Sequence, residues 1–204
     1  MPLHPGHLDG ESDEALIGRV AQGDTRAFDE LYTRYSGKVM GYFRRMLGGD
    51  ESRAQDLVQD LFLTLIEKGH TFDPARRFSR WLFSVAHNLC VTELRRRDTR
   101  RRSESEAASQ PAEPPVSLDA QLDAGRFAAA LQRELDQLDA ERRSAFLLRF
   151  GQGLAIADIA AAAGCPPGTV KSRLFYTVRQ LAERLCTFDP QREITAGGPQ
   201  PPRE

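Results

Sequence analysis

Apolar residues recur along this chain at steps of three and four, and no stretch alternates with a step of two for long enough to make a strand. The first long stripe runs through Phe28, Leu31, Tyr32, Tyr35, Val39, Tyr42, Phe43, Met46 and Leu47, and Gly48-Gly49 stops it. Asp50 is placed to cap the next helix, which carries Leu57, Val58, Leu61, Phe62, Leu65 and Ile66 and ends at Gly69. After the Asp-Pro turn of "TFDPARR" a third stripe follows, with Phe78, Trp81, Leu82, Val85 and Leu89. Helical spacing returns at Phe127, Leu131, Leu135 and Leu138, then at Phe146, Leu147 and Phe150. Beyond Gly151 and Gly153, Ile156 and Ile159 mark a short helix, and "GCPPG" makes a turn. A last helix begins near Gly168 with Val170, Leu174, Val178 and Leu181 on its buried side. The fold class is therefore all-α.

Composition divides this run of helices. The stretch "SESEAASQPAEPPVS" has three glutamates, three prolines and no basic or aromatic residue, too little apolar surface to order itself. The expected organisation is two small helical domains, 13–102 and 120–186, joined by a flexible acidic Pro-rich linker, 103–119. Residues 1–12 and 187–204 are expected to be disordered ends. With no long apolar run and no basic-then-apolar start, neither membrane insertion nor a secretory signal is expected. The scattered Cys90, Cys165 and Cys186 suit a reducing cytoplasm. His87 and Cys90 form an H-x-x-C pair without further ligands nearby, so no metal and no cofactor is expected. The chain has no phosphate-cradling glycine loop and no nucleophile motif, which argues against an enzyme.

The formal net charge of −1 hides strong blocks. Residues 72–102 carry 9 basic and 3 acidic side chains, whereas residues 103–140 carry 2 basic and 8 acidic. Six of those arginines fall between Arg95 and Arg102. Such alternation points to contact with a polyanion.

Residues 154–181 have the pieces of a DNA-reading helix-turn-helix. Ala160 is small where two helices cross, Gly164 permits a left-handed turn, and the last helix turns a polar face outward. That face holds Thr169, Ser172, Tyr176 and Arg179, flanked by Lys171 and Arg173. Lys171 and Arg173 suit phosphates or guanine edges, and Ser172 and Tyr176 suit bases or backbone.

"ADIAAAAGCPPGTVKSRL" resembles the C-terminal domain of the extracytoplasmic-function group of sigma factors in the sigma-70 family of bacterial RNA polymerase. Asp158 stands where that family usually has glutamate, and Ala163 where it often has leucine. "AQDLVQDLFLTLIEK" is similar to the family's core-binding helix, and "FSRWLFSVAHNLCVTELRRRDTRRR" to its −10 segment. The resemblance implies that Gln59 and Asp60, with Asp56 on the same polar surface, meet the clamp of the polymerase's largest subunit. It implies −35 recognition by the last helix. It also implies −10 contacts by Arg95, Arg96, Arg97 and Arg100, by Trp81 and Phe83 as supports for an unstacked base, and by Asn88 at a flipped-base pocket with His87 and Leu89 beside it. Trp81 equally suits the core, since it lies on the apolar stripe, and Asn88 equally suits a helix cap. Implied partners are core RNA polymerase through clamp and flap, promoter DNA and an anti-sigma factor. The alternative is a free-standing helix-turn-helix regulator of duplex DNA.

Overall fold

Four aspartate and serine caps fix where helices begin. In the computed structural model, which describes residues 10–103 and 120–186, Ser12 Oγ accepts from the Ala15 amide at 3.2 Å and opens α1 (Asp13–Val20). Asp24 accepts from the Arg26 and Ala27 amides and opens α2 (Thr25–Met46). Asp50 caps α3 (Glu51–Lys68) through the Arg53 amide at 3.0 Å. Asp139 caps α6 (Ala140–Phe146) through the Arg142 amide at 2.8 Å. Each such cap contributes about 1 kcal/mol. Between α2 and α3 the chain turns through Gly48 and Gly49, at φ of 68° and 88°, a region closed to most side chains.

A short 3-10 turn, Gly69–Thr71, leads toward α4 (Phe78–Ser103), one unbroken helix. α5 (Ala120–Asp136) precedes α6, which runs into a π-helical turn over Leu147–Gly151. α7 (Ile156–Ala162) and α8 (Pro167–Arg184) complete the helix-turn-helix. Gly164 takes the left-handed turn at φ 61°, and Pro167 occupies the first turn of α8, where its missing N–H costs nothing. No strand occurs among the described residues. Of the ends and linker expected at 1–12, 103–119 and 187–204, residues 1–9, 104–119 and 187–204 lie outside the described residues, whereas Ser12 caps α1 and Ser103 is the last residue of α4.

The α1–α4 unit is built on rings. Tyr35 meets Phe78 edge-on at 5.3 Å, Phe78 meets Phe72 at 6.0 Å, and Tyr42 meets Phe83 at 6.0 Å. In the α5–α8 unit, Leu135, Leu148, Leu154, Ile159, Val170, Leu174 and Leu181 are buried. The two units pack against each other, with α4 against α6 and α7 and α2 against α5 and α6, in one continuous core.

The buried stripes differ from the periodic reading at five places. Tyr32, Ile66, Phe127, Phe150 and Val178 are exposed. In α8 the fully buried Thr177 takes the place expected for Val178. Steps of four drift about 40° each on a 3.6-residue helix, so a straight stripe needs a step of three after Leu174. The Thr177 hydroxyl is not stranded, because it accepts from Arg142 Nε at 3.2 Å.

Candidate nucleic-acid and partner interfaces

α8 is held down by its 170–174–177–181 stripe and by Arg142, which also donates to the Gln180 side chain at 3.0 Å. Lys171, Ser172, Tyr176 and Arg179 face solvent, and Thr169 is half-buried in the first turn. Ser172 Oγ donates back to the Gly168 carbonyl at 3.1 Å, and Arg179 pairs with Glu183 at 2.9 Å. Phe175, 63% exposed, lies beside Tyr176 with ring centroids 5.4 Å apart. Sequence reasoning passed over Phe175; an aromatic off the apolar stripe was the signal.

Arg173 differs from its neighbours. Its guanidinium is half-buried, 3.0 Å from Glu141 and 3.7 Å from Cys165 Sγ. Glu141, at the start of α6, also reaches Arg95 of α4 at 3.7 Å.

The basic face of α4 has two parts. Arg95, Arg96 and Arg100, with Thr92 and Thr99, line an open concavity of about 580 Å³. Arg97 instead pairs with Asp50 and with Glu93, and Glu93 also takes Arg53 at 2.7 Å. The Arg53 and Arg97 guanidiniums hold the Glu93 carboxyl below its ordinary range. The Arg53 amide and then Arg97 do the same for Asp50. Arg97 thereby ties α4 to the start of α3, which leaves Arg95, Arg96 and Arg100 as the outward arginines whose side chains are described.

Asn88 is exposed near the middle of α4 and caps nothing. It lines a groove of about 330 Å³ between α3 and α4 with Asp60, Thr64, Lys68, Thr92 and Arg96. No break between two helices falls beside it, since α4 is continuous. Leu89 lines the same groove, whereas His87 points the other way and is 5% exposed. The His87 Nδ1 lies 2.7 Å from Ser144 Oγ, which lies 2.8 Å from the Tyr42 hydroxyl. Burial pushes His87 below the ordinary histidine range, against the pull of Glu141.

The two aromatic expectations part company. Phe83 is 2% exposed and packed on Tyr42, so it is a core residue with no free face for a base. It falls four residues before His87 on the inward side of α4, where the two units meet. Trp81 is half-buried against Phe72 and Phe78, with centroids 5.9 and 6.1 Å away.

On α3 the exposed Asp56, Gln59 and Asp60 form one face, joined by Leu63 at 57% and Ile66 at 51% exposure. Asp56 is paired with Arg53 at 3.0 Å. Leu63 was missed in the sequence because the periodic reading followed the buried side. The structure brings α3, the groove and the α4 arginines onto one unit, and sets α8 on the other. No described group of His, Cys, Asp and Glu is arranged to hold a metal ion, and no described helix is long and apolar enough to cross a membrane.

Residues 31–100 match the family model described as Sigma-70 region 2, and residues 128–181 match that described as Sigma-70, region 4. The RNA polymerase sigma-H factor of Pseudomonas aeruginosa is 32% identical over 177 residues, covering 82% of this chain and 91% of that protein. The ECF RNA polymerase sigma factor SigL of Mycobacterium tuberculosis is 32% identical over 168 residues, covering 82% and 93%. Among solved structures, CnrH in complex with the cytosolic domain of CnrY aligns at a TM-score of 0.64 and 25% identity, covering 87% of this chain and 99% of that one. The sigma factor RpoE of Bartonella quintana, in complex with the anti-sigma factor NepR, aligns at 0.64 and 26% identity, covering 78% and 96%.

Proposed function

Because the chain belongs to the extracytoplasmic-function group of the sigma-70 family, we propose a division of labour among its surfaces. The protein is a sigma factor, which binds core RNA polymerase and directs promoter-specific initiation at −10 and −35 elements. In our reading, residues 13–102 dock on core and open the −10 region, residues 120–186 read the −35 duplex, and residues 103–119 tether them. Two weak readers on one chain then act together by effective concentration.

α3 is the core-docking face, where Asp56, Gln59 and Asp60 meet a basic clamp surface and Leu63 adds an apolar anchor. Arg95, Arg96 and Arg100 hold the −10 backbone, and Asn88 in the α3–α4 groove offers an amide that both donates and accepts at a base edge. Thr169, Lys171, Ser172, Arg173, Tyr176 and Arg179 serve the −35 duplex. The flap is a second polymerase contact. An anti-sigma partner is in keeping with the NepR complex of the RpoE neighbour. Sigma factors are generally not enzymes, and we read no chemistry of this chain's own; its place of work is the cytoplasm, with polymerase.

The observation that carries the reading is that region 2 and region 4 matches occur in order on one chain, each coinciding with an exposed basic face. A free-standing regulator has no use for the acidic-apolar face of α3. Purified chain mixed with bacterial core polymerase on a sizing column is expected to co-elute one to one. Failure to co-elute, with clean binding of the chain alone to duplex DNA, would favour the regulator.

A further inference from the structure

α8 has two ways to lie on α6, and its hydrophobic pattern alone does not choose between them. Val170, Leu174 and Leu181 face inward in both. The fourth inward place goes either to Val178 or to Thr177, and at about 100° per residue the two sets point about 25° apart. In the structure Thr177 is fully buried and Val178 is 42% exposed. Apolar burial favours the opposite choice, because a valine gains more on leaving water than a threonine, whose hydroxyl must then find a partner.

Arg142 of α6 supplies that partner. Its own amide is held by the Asp139 carboxylate at 2.8 Å, which fixes where the side chain starts. Its Nε donates to Thr177 Oγ1 at 3.2 Å, and a terminal guanidinium nitrogen donates to Gln180 Oε1 at 3.0 Å. Thr177 and Gln180 are three residues apart, so they lie one above the other on the same side of α8. A single bond would let the helix roll about it, whereas two bonds from one planar fork hold it in place. With Thr177 inward, Lys171, Ser172, Phe175, Tyr176 and Arg179 are turned to solvent. A roll of about 25° would carry atoms on a helix surface of about 5 Å radius through about 2 Å. Hydrogen bonds hold over a range of only about 0.5 Å.

We propose that Arg142 is a positioning residue for duplex recognition: it sets the roll of α8 against α6, and so decides which base edges the outward side chains of α8 meet, without touching DNA itself. This rests on the −35 role read for α8 above. Hydrogen bonds from a charged donor are the stronger class, and they outweigh the gain from burying Val178. Without Arg142 the Thr177 hydroxyl has lost its donor, and α8 rolls to bring Val178 inward. Val178 is then the rival that Arg142 holds off, so removing its apolar side chain should make Arg142 dispensable.

The test assembles the full chain with bacterial core polymerase and lets it select from duplexes randomised over the −35 element. Preference is read as the ratio of affinities for the selected and a scrambled −35 duplex. Arg142→Ala is expected to lower that ratio about tenfold, the scale of one misplaced base contact. Val178→Gln, at an exposed position, is expected to stay within about twofold of wild type. The double variant Arg142→Ala/Val178→Gln is expected to regain the preference, since glutamine gains little by turning inward. A double variant as poor as Arg142→Ala would overturn the proposal and leave Arg142 a direct DNA contact or a merely stabilising residue. Unchanged preference in Arg142→Ala would overturn it too. If Arg142→Ala does not fold, Gln180→Ala, which removes one arm of the fork, takes its place in both variants. The roll is also read without DNA, by the rate of thiol labelling of Val178→Cys in a Cys165→Ser/Cys186→Ser background; Cys90 is fully buried. Arg142→Ala should slow that labelling severalfold, and an equal rate would overturn the proposal. If the wild-type assembly selects no −35 sequence, the proposed function fails, while the labelling still decides the roll.

Discussion

Phe83 shows how one residue changes meaning between sequence and structure. In a string beside Trp81 and Arg95–Arg102 it resembles a base-stacking ring, yet its side chain is 2% exposed against Tyr42. Aromatic identity is visible in the sequence, but which side of α4 is inward depends on the helices that pack on it, for Phe83 on α2 through Tyr42, and no local pattern encodes that docking. Phe83→Ala should cost about 3–5 kcal/mol of stability by opening a cavity, measured by urea denaturation. Were Phe83 a base contact instead, the variant would keep its stability and lose −10 binding. Thr177 is the matching case. Its hydroxyl looks like a surface group until Arg142 of α6 supplies a donor at 3.2 Å.

At the scale of elements, sequence pattern carried far. The positions of α2 to α8 followed from stripe spacing, whereas the short α1, with Leu16, Ile17 and Val20 buried, was not read; Asp50, Gly48-Gly49 and Gly164 do the capping and turning their chemistry suggests. Long stripes were less legible at their margins, since Ile66 continues the apolar pattern of α3 yet is 51% exposed. A partner outside the chain leaves no periodic signature within it, so the outer face of α3 showed only as leftover residues. That face makes its own prediction. Leu63→Asp should leave folding within about 0.5 kcal/mol of wild type, as surface changes usually do. It should weaken core binding about tenfold or more, the scale of losing an interface anchor. A melting curve and a core-binding titration on the same variant check both halves, and unchanged core affinity would remove Leu63 from the docking surface.

For the whole molecule, two helical domains were readable but their mutual packing was not, because the acidic run of sequence between them says nothing about what they touch. The packing has a pH dependence through His87. Around the ring stand Ser144 and Glu141 of α6, Tyr42 of α2, Arg173 of α8 and Arg95 of α4, with Cys90 nearby. Burial depresses His87, Glu141 pulls it up, and Arg173 and Arg95 press it down. Burial pushes the Cys90 thiol up to about 12 and raises Tyr42, so both stay neutral. The folded chain therefore binds fewer protons than the unfolded one, whose histidine titrates near about 6.5. This contribution to stability is fully present above that range and declines as pH falls through it. Urea denaturation from pH 8 to about 5.5 should show the midpoint falling as pH drops, and His87→Gln should flatten the fall. An equal fall in the variant would assign the effect to other groups.

The Glu141 bridge also bears on ionic strength. Counterion release normally makes every phosphate contact weaken as salt rises, by about 0.9 in the logarithmic slope for duplex DNA. Arg95 and Arg173 begin with a carboxylate rather than with free solution, and the same screening that loosens promoter phosphates loosens Glu141. On the promoter roles proposed for these two arginines, loosening of the exposed Glu141 pair, worth about 0–1 kcal/mol, offsets a minor part of that slope. Promoter binding is expected to depend on salt slightly less steeply than the count of cations alone would give.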